Sequence, residues 1–387
     1  MEKRKVLFRG DGNSETGLGH LYRLFALVEI YKTRYDFVFL TKKSSTLSIF
    51  PENYNVELIP NSISIIEEPE WLSINYSPSE YFVIADGYQF KPEYQKEIKN
   101  LDYYLIYIDD LFYKNIPADI IVNHSPNVYP DDYKNKMATK FAFGTNYAIL
   151  RPSFLGLAKE QREISTIHTA FVCFGGADML DLSLKAVRAL LRVNNITEIH
   201  VVLGGAYVHK TIFSLEKLNK KLQLYRNLGG VELAELMQKC EFAIAPSSTI
   251  LYELCAVKMP ILSGYFVENQ KNIYNALSQI GAIAKGGNFK NYTEEDFYKK
   301  IVEIIKAGNY KAFISIQKNL IDGNSHNRFL SLLENVDITF EKASEKHMMQ
   351  VYEWSNDSRV RENSYNTEEI TLNDHKRWYL KKINSKT

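Results

Sequence analysis

The first candidate for chemistry is a histidine that follows a glycine-rich loop near the start of the chain. Phe8-Arg9-Gly10-Asp11-Gly12 leads to Gly17-Leu18-Gly19-His20, where a helical pattern begins. Glycines let a backbone approach a ligand closely, and the first turn of a helix offers unpaired N–H groups to an anion. An imidazole at that place can take or give a proton near neutral pH. The spacing predicts that a phosphate-bearing ligand meets His20, which would act as acid or base.

A second group of glycines and hydroxyl residues follows apolar runs in the other half of the chain. Its members are Gly175-Gly176, Gly204-Gly205 and Ser247-Ser248-Thr249. Backbone N–H groups and hydroxyls at the starts of helices are suited to binding a diphosphate. Glu253 lies one helical turn after Thr249 and shares its face, so it could accept hydrogen bonds from the hydroxyls of a ribose. The alternative is a surface glutamate that the helix dipole favours.

Acidic side chains follow two predicted strands of the first half. Asp86 ends one apolar run and precedes Gly87-Tyr88, and Asp109-Asp110 ends another. Because ligands bind beyond the carboxyl ends of parallel strands, we expect these acids at the same rim as His20. Taken singly, each is also explained as a loop residue or a helix cap.

The elements that position these residues are short apolar runs that alternate with helical stretches. Runs without period-2 alternation are typical of strands buried on both faces, as in parallel sheets. We predict strands at Val6–Arg9, Phe37–Leu40, Val56–Ile59, Tyr81–Ala85, Tyr104–Ile108, Ile120–Val122, Ala170–Phe174, Ile199–Leu203, Phe242–Ala245 and Pro260–Ser263. Predicted helices include His20–Lys32, Lys91–Asn100, Leu180–Val193, Val231–Lys239, Ile250–Val257 and Asn269–Gln279. This rhythm predicts a doubly wound α/β architecture.

The predicted organisation has three parts. Residues 1–150 and 151–334 form two Rossmann-like domains that join near Tyr147–Pro152, and such a junction is a common place for a ligand cleft. Residues 335–387 differ in character, with a predicted strand at Val336–Phe340 and a helix from Lys342 through Trp354. Thr371-Leu372-Asn373-Asp374 predicts a capping box before a last helix. This tail is too short to bury a full core of its own.

The composition excludes several classes of protein. The chain has 387 residues, of which 45% are hydrophobic and 24% charged, as in ordinary globular proteins. A net charge of +1 gives no general attraction to nucleic acid or to an anionic membrane. No apolar run in the sequence approaches the roughly 20 residues needed to span a bilayer. The three cysteines, Cys173, Cys240 and Cys255, lie in apolar segments and predict buried free thiols in a reducing cytoplasm, with no metal-site spacing.

Several of these motifs together resemble a known family. They are Gly17-x-Gly19-His20-x-x-Arg23, Asp86-Gly87-Tyr88, Ile108-Asp109-Asp110, Tyr147-x-x-Leu150-Arg151 and Phe174-Gly175-Gly176-x-Asp178, in this order. They resemble those of the UDP-2,4-diacetamido-2,4,6-trideoxy-β-L-altropyranose hydrolases of pseudaminic acid biosynthesis. The resemblance covers roughly residues 1–333 and implies the two-domain GT-B fold of the glycosyltransferase that makes lipid II. One departure is Gly87, where many members of the family have histidine.

The tail resembles the start of another family. Phe340-Glu341-Lys342-Ala343, Glu353-Trp354-Ser355-Asn356-Asp357 and Asn363-Ser364-Tyr365 are similar to the opening of GNAT acetyltransferases that act on nucleotide-linked amino sugars. The sequence ends before the acetyl-CoA pyrophosphate loop of that family, so the resemblance implies an incomplete segment that does not acetylate.

The resemblance to the hydrolases implies a reaction and roles for the residues. It implies release of UDP and free sugar with inversion at the anomeric carbon, with His20 as general base and Asp11 as its partner. Substrate contacts are expected from Gly17, Gly19, Arg23, Asp86, Tyr88, Arg151, Gly175, Gly176, Ser247, Ser248, Thr249, Glu253, Asn269 and Gln270. Arg151 has the alternative role of a salt bridge at the hinge. We expect no metal and no other cofactor, and a cytoplasmic monomer whose partner is the UDP-sugar alone.

Two other functions stay open on the sequence. A GT-B glycosyltransferase would use the same UDP cleft and pass the sugar to an acceptor other than water. A sugar-nucleotide-binding part of an acetyltransferase fusion would bind the same ligand without turning it over.

Overall fold

The structure is a computed structural model, and it describes residues 4–13, 15–111, 114–133, 139–334, 336 and 342–384. The chain divides into two compact units, Met1–Ser331 and Leu332–Thr387. The first unit contains two parallel sheets, and every residue of the predicted site belongs to it.

The first sheet has seven described strands, all of them parallel to their neighbours. They are β1 (Lys5–Gly10), β2 (Phe37–Lys42), β3 (Val56–Ile59), β4 (Tyr81–Asp86), β5 (Tyr104–Ile108), β6 (Ile120–Asn123) and β7 (Lys140–Phe143). Their order is β3-β2-β1-β4-β5-β6-β7, so the chain reverses direction across the sheet between β1 and β4. That reversal is the switch point where open α/β sheets bind ligands, and the loop with His20 leaves β1 there.

The described residues of this part form the α-helices α1 (Gly19–Tyr31), α2 (Glu68–Asn75) and α3 (Pro92–Asn100). Helix α1 is buried along most of its length, because its apolar side chains pack against the sheet. Proline stands in the first turn of α2 and of α3, where its missing N–H costs no intrahelical bond.

The second sheet is again parallel. Its strands are β8 (Thr169–Val172), β9 (Glu198–Leu203), β10 (Leu222–Arg226), β11 (Phe242–Pro246), β12 (Ile261–Tyr265) and β13 (Ala284–Asn288), in the order β10-β9-β8-β11-β12-β13. The helices around it are α4 (Pro152–Lys159), α5 (Leu182–Leu191), α6 (Thr211–Leu218), α7 (Gly230–Lys239), α8 (Thr249–Val257), α9 (Lys271–Gln279), α10 (Glu294–Ala307), α11 (Tyr310–Leu320) and α12 (Ser325–Glu334). The α/β prediction and the ten predicted strands are confirmed, with ends that shift by one or two residues.

Three strands were not predicted from the sequence. Strand β7 follows a segment that contains Pro126 and Pro130, and β13 has the glycine-containing sequence AKGGN. Both strands lie at a sheet edge, as does β10, so none of the three needs the apolar run of a central strand.

The last helix of the first unit returns to the first sheet. The Tyr31 hydroxyl of α1 donates a hydrogen bond of 2.7 Å to the Phe329 carbonyl oxygen of α12. The Phe329 ring also lies 5.7 Å from the ring of Tyr147, at the crossing between the two sheets. These contacts tie the second half of the chain to the helix that carries His20.

The second unit is helical in its described part, with α13 (Met348–Asn356), α14 (Ser358–Glu362) and α15 (Leu372–Ile383). The predicted cap of the last helix is confirmed, because the Thr371 side chain accepts a hydrogen bond from the Asp374 backbone N–H. The predicted strand Val336–Phe340 lies outside the described residues except for Val336.

Candidate active site

His20 lies in the first turn of α1 and is held at one ring nitrogen by Asp86. The distance from His20 Nδ1 to Asp86 Oδ1 is 2.7 Å. Because an ionised carboxylate only accepts hydrogen bonds, the contact with Asp86 assigns the proton to Nδ1 and leaves Nε2 its lone pair. Arg23 Nη2 also lies 2.8 Å from Nδ1, but with Nδ1 protonated its hydrogen bond goes to Asp86 Oδ1. Among the described residues, Nε2 has no hydrogen-bond partner, and the side chain keeps 10% of its surface exposed. This is the arrangement that a general base needs.

Arg23, one turn further along α1, fixes the position of Asp86. Its Nε donates to Asp86 Oδ2 and its Nη2 to Asp86 Oδ1, both at 2.8 Å. Nη1 donates to Asp110 Oδ2 at 2.8 Å. Burial opposes the ionisation of Asp86, but the Arg23 charge and the bond with His20 lower the pKa of this carboxyl below its usual value. Arg23 was expected to contact substrate, and this expectation is corrected: its guanidinium is buried and engaged by two carboxylates.

The partner of His20 is therefore not Asp11. The Asp11 carboxylate accepts bonds from Arg9 Nη1 and from the Lys42 backbone N–H, each at 2.7 Å, and from Thr41 Oγ1 at 3.0 Å. Burial opposes its ionisation, but the buried charge of Arg9 lowers the pKa of Asp11. Asp11 thus fixes the glycine loop to β2, while Asp86 makes the contact with His20 that was predicted for Asp11.

Tyr88 contacts both His20 and Asn269, a residue of the second half of the chain. Its ring stands edge-on to the imidazole, with 4.5 Å between ring centroids. The Tyr88 hydroxyl donates to Asp110 Oδ2 at 3.3 Å and accepts from Asn269 Nδ2 at 2.9 Å. Burial, with help from Asp110, raises the pKa of Tyr88 to about 12, so the phenol keeps its proton. Asn269 is therefore linked to His20 through the single side chain of Tyr88. Gln270 is buried, and its Oε1 accepts a hydrogen bond from the Phe266 backbone N–H.

The two glycine loops face each other. Gly17 has φ +84° and Gly175 has φ +82°, the left-handed region that side chains disfavour. A Cβ atom at Gly176 would lie 3.8 Å from Leu18 Cδ1, so the Gly17–His20 loop lies against the Gly175-Gly176 loop. A Cβ atom at Gly204 would overlap the carbonyl oxygens of Gly175 and Gly176. Gly204 therefore serves to let the two turns of the second sheet pack together.

The N-termini of α5 and α8, two helices beside the second sheet, differ in whether a side chain of the protein already caps them. Asp178 accepts the backbone N–H bonds of Leu182 and Ser183, so the N-terminus of α5 is filled by the protein's own carboxylate. The N-terminus of α8 begins at Thr249 after Ser248, with no side-chain cap and no acidic residue in the first turn. An external anion thus has open N–H groups at α8.

Ser247 is corrected as a ligand-binding residue. It is fully buried at the end of β11, and its hydroxyl lies 2.9 Å from the Ser263 hydroxyl. Ser248 and Thr249 are partly exposed and remain available at the helix start.

Glu253 is paired across the chain with Arg151. Arg151 Nε donates to Glu253 Oε1 at 2.7 Å and Nη2 to Oε2 at 2.8 Å. This two-bond ion pair is the hinge salt bridge that the sequence left as the alternative for Arg151. Each carboxylate oxygen of Glu253 thus already accepts one hydrogen bond from Arg151.

The sequence reasoning missed two residues that lie behind this network. His124 follows β6 and is buried, with Nδ1 accepting from the Ile149 backbone N–H at 3.3 Å. Burial lowers the pKa of His124 to about 3, and the nearby Arg23 charge acts in the same direction. Its ring lies 4.5 Å from the Tyr252 ring of α8. The available signal was the position of Asn123-His124-Ser125 at a strand end beside Asp109-Asp110.

Two features are absent from the part of the chain that the structure describes. They contain no group of three or more histidine, cysteine, aspartate or glutamate side chains placed to hold a metal ion. None of their helices has the length and apolar character needed to cross a membrane.

Solved structures of low sequence identity share this arrangement of two sheets. The chain superposes on the spinosyn rhamnosyltransferase SpnG bound to thymidine diphosphate with a TM-score of 0.60 and 12% identity, over 86% of this chain and all of that one. MurG of Acinetobacter baumannii gives a TM-score of 0.57 at 10% identity, with 86% and 100% coverage. The chain has the GT-B fold. A putative UDP-N-acetylglucosamine 2-epimerase from Listeria monocytogenes shares it, with a TM-score of 0.55 at 11% identity over 86% of this chain and 96% of that protein.

Curated proteins are similar in sequence as well. The UDP-2,4-diacetamido-2,4,6-trideoxy-β-L-altropyranose hydrolase of Campylobacter jejuni is 26% identical over 287 residues, 72% of this chain and 97% of that enzyme. The spore coat polysaccharide biosynthesis protein SpsG of Bacillus subtilis is 23% identical over 337 residues, with 84% and 96% coverage. The uncharacterised protein MJ1062 of Methanocaldococcus jannaschii is 27% identical over 288 residues, but the match spans only 57% of its length. No family model matches the chain.

The resemblance to the hydrolase family and the GT-B prediction are thus confirmed. The relatives and structural neighbours include enzymes that process sugar nucleotides. The GNAT-like character of residues 335–387 stays a prediction.

Proposed function

We propose that this GT-B chain hydrolyses the anomeric C–O bond of a UDP-linked 2,4-diacetamido-2,4,6-trideoxy sugar, in nonulosonic acid biosynthesis. The observation that carries the proposal is the His20–Asp86–Arg23 arrangement, which leaves Nε2 of His20 as a base, in a loop that lies against the Gly175-Gly176 loop through Leu18. The alignment with the Campylobacter hydrolase, which covers 97% of that enzyme, supports the choice of substrate class.

In the proposed reaction, His20 Nε2 takes a proton from water as the water oxygen forms its bond to the anomeric carbon. The bond from that carbon to the UDP oxygen breaks, and its electron pair leaves with UDP. Attack from the face opposite the leaving group inverts the anomeric configuration. A positioned base of this kind contributes a rate factor of roughly 10²–10⁴.

The leaving diphosphate is assigned to the start of α8, with the Ser248 and Thr249 hydroxyls, and to the amides of Gly175 and Gly176. These N–H groups and the helix dipole stabilise the charge that develops on UDP without a metal ion. Tyr88 and Asn269 are assigned to the sugar, because their hydrogen bond lies beside His20. We place the reaction in the cytoplasm, since all three cysteines are buried and unpaired, and we propose that the enzyme acts as a monomer.

The experiment that tests this function is UDP release from a panel of UDP-diacetamido sugars in buffer that contains no acceptor. We expect one of these sugars to release UDP, and UDP-N-acetylglucosamine to release it much more slowly. No release without an acceptor would refute the hydrolase.

Glycosyl transfer is the second candidate, because the fold is shared with the glycosyltransferases SpnG and MurG. It predicts UDP release only after a sugar acceptor or a lipid acceptor is added. The two functions therefore give opposite results in the acceptor-free assay.

A further inference from the structure

The turn that follows β4 contacts both ends of the loop between β1 and α1. Tyr88 and Gln89 are its central residues, and a backbone hydrogen bond to the Gly87 carbonyl oxygen closes it. The Tyr88 ring stands edge-on to the ring of His20, in the first turn of α1. Gln89 Nε2 donates to Oδ2 of Asp11, the residue that follows β1, at 3.1 Å. One short turn therefore attaches to the chain on either side of this loop.

Gly87 leaves room for the Gln89 side chain. A Cβ atom at Gly87 would lie 2.5 Å from Gln89 Oε1 and 2.8 Å from Nε2, so the glutamine amide lies directly over the glycine backbone. Gly87 also has φ +155°, a value that residues with a side chain rarely adopt. The amide thus fills a defined place between the end of β4 and Asp11.

Asp11 is a fixed point for the Gln89 amide. Its Oδ1 accepts hydrogen bonds from the Arg9 side chain, the Thr41 hydroxyl and the Lys42 backbone N–H. Its Oδ2 accepts the bond from Gln89. Because Arg9 belongs to β1, and Thr41 and Lys42 belong to β2, the carboxylate is tied to two neighbouring strands of the first sheet. The turn after β4 is therefore attached to the sheet itself.

We propose that the hydrogen bond to Asp11 makes Gln89 a positioning residue, which holds the turn so that the Tyr88 ring stays against His20. Without this bond the turn is released on one side, and the Tyr88 ring no longer limits the orientation of the imidazole. Nε2 then spends less time directed at the water that it deprotonates. The effect on turnover rests on the proposed function, because it takes His20 as the base.

The test exchanges the donor and the acceptor of this bond. Gln89→Glu places a second carboxylate against Asp11, so turnover at saturating substrate should fall about tenfold. In Asp11→Asn the amide oxygen keeps the three donors of Oδ1, and the NH₂ group takes the place of Oδ2. That NH₂ group can donate to the carboxylate of Gln89→Glu. The double variant should therefore recover turnover to within about twofold of Asp11→Asn alone.

Gln89→Leu shows whether the bond itself matters. Leucine is similar in size to glutamine but cannot bond the residue at position 11. Turnover should fall about fivefold, the effect of one lost hydrogen bond, and adding Asp11→Asn should not restore it. UDP affinity, measured by calorimetry, should stay unchanged in all these variants, because the diphosphate is assigned to the start of α8. Turnover is compared at equal folded fraction, taken from melting curves.

NMR of the His20 ring gives a readout that does not depend on turnover. The carbon-bound protons of this imidazole are assigned by the loss of their signals in His20→Asn. Their chemical shifts respond to the Tyr88 ring, whose centroid lies 4.5 Å away. Gln89→Glu and Gln89→Leu should shift these signals. The exchange of donor and acceptor in Asp11→Asn with Gln89→Glu should return them toward their wild-type positions.

Gln238→Glu is the matched control. Gln238 Nε2 donates to Glu160 Oε2 at 3.2 Å, so the same two groups meet at nearly the same distance. Gln238 lies in the last turn of α7, whereas the site residues lie beyond the carboxyl ends of the strands. This variant also brings two carboxylates together, and it should leave both turnover and the His20 signals unchanged.

The inference is overturned if Gln89→Glu matches Gln238→Glu in turnover and in the His20 signals. It is also overturned if the double variant with Asp11→Asn recovers nothing relative to Gln89→Glu. Wild-type protein that releases no UDP in the acceptor-free assay would refute the proposed function instead. The NMR signals would then still decide whether Gln89 holds Tyr88 against His20, so the two failures are distinguishable.

Discussion

Replacing Asp86 by asparagine perturbs the network around His20 at its centre. The carboxylate has no exposed surface and accepts from His20 Nδ1 and twice from Arg23. An amide offers only one acceptor oxygen, so one of these positions must receive an NH₂ group. If the amide oxygen of the new asparagine accepts from Arg23 Nε, its NH₂ group takes the place of Asp86 Oδ1 and faces His20 Nδ1.

Two donors would then face each other, the NH₂ group of the asparagine and the N–H at His20 Nδ1, unless Nδ1 gives up its proton. Arg23 Nη2, which loses its acceptor, lies 2.8 Å from Nδ1 and can donate to it. The proton then belongs on Nε2, and the imidazole can no longer take one from water. We expect turnover to fall by about 10²–10⁴-fold, the whole contribution of a positioned base. The free energy of unfolding should fall by about 3 kcal/mol, the low end for a buried pair, because Asp110 still pairs with Arg23.

The assay is UDP release at saturating substrate, with UDP affinity measured by calorimetry and stability by urea unfolding. Asp119→Asn is the matched control, since Asp119 also pairs with a cation, Lys99 at 2.6 Å, before β6 and away from His20. It should lose stability without losing turnover. If Asp86→Asn keeps turnover within about threefold of the wild type at equal folded fraction, Asp86 does not set the protonation of His20.

Three further predictions concern the role of Asp11, the binding of UDP at Thr249 and the pH dependence of stability. Asp11→Asn leaves the buried Arg9 with one carboxylate fewer, so the free energy of unfolding in urea should fall by about 1–3 kcal/mol. The folded variant should keep most of its turnover. A loss of turnover like that of Asp86→Asn would show that Asp11 is the partner of His20 after all. Thr249→Val should weaken UDP binding about fivefold in calorimetry by removing a donor at the start of α8, whereas Ser247→Ala should leave it unchanged; equal effects would place the diphosphate elsewhere. The pKa values of Asp86 and Asp11 are lowered in the folded state, so the unfolded state binds more protons in acid. The stability that these two carboxylates contribute is therefore present above about pH 4. It is lost as the pH falls through the pKa values of the folded state. Urea midpoints measured from pH 6 downward should fall less steeply for Asp86→Asn than for the wild type, and parallel curves would contradict this.

The central strands could be predicted because they are buried on both faces. Runs such as Tyr81–Ala85 and Phe242–Pro246 contain no charged residue, and their composition alone distinguishes them. Edge strands such as β13 need less apolar surface, and their pairing depends on a neighbour that sequence reasoning does not show.

His20 could be proposed as a base from local sequence, but the carboxylate that contacts it could not. His20 stands where a glycine loop meets a helix, a feature contained in a few neighbouring residues. Asp86 is 66 positions away, and only the register of β1 with β4, which sets Gly10 opposite Asp86, brings it to the start of α1. Asp11, close to His20 in sequence, follows the same strand but bonds toward Lys42 of β2.

Burial explains the other corrections. Glycine and serine at strand ends suggest phosphate contacts, but sequence does not tell which hydroxyl faces solvent. Ser247 and Ser263 lie on neighbouring strands and bond each other, while Thr249 remains partly exposed. The Arg151–Glu253 pair spans 102 positions, and the sequence could offer it only as an alternative.

The central claim is that water, activated by His20, is the acceptor at the anomeric carbon. The most direct measurement is a proton NMR time course of a UDP-linked 2,4-diacetamido-2,4,6-trideoxy sugar with wild-type protein and with His20→Asn, in buffer without an acceptor. We predict that free sugar of inverted anomeric configuration and UDP accumulate together, and that His20→Asn slows both by about 10²–10⁴-fold while still binding UDP. Retention of configuration at the earliest time points, or turnover by His20→Asn at the wild-type rate, would contradict the proposed mechanism.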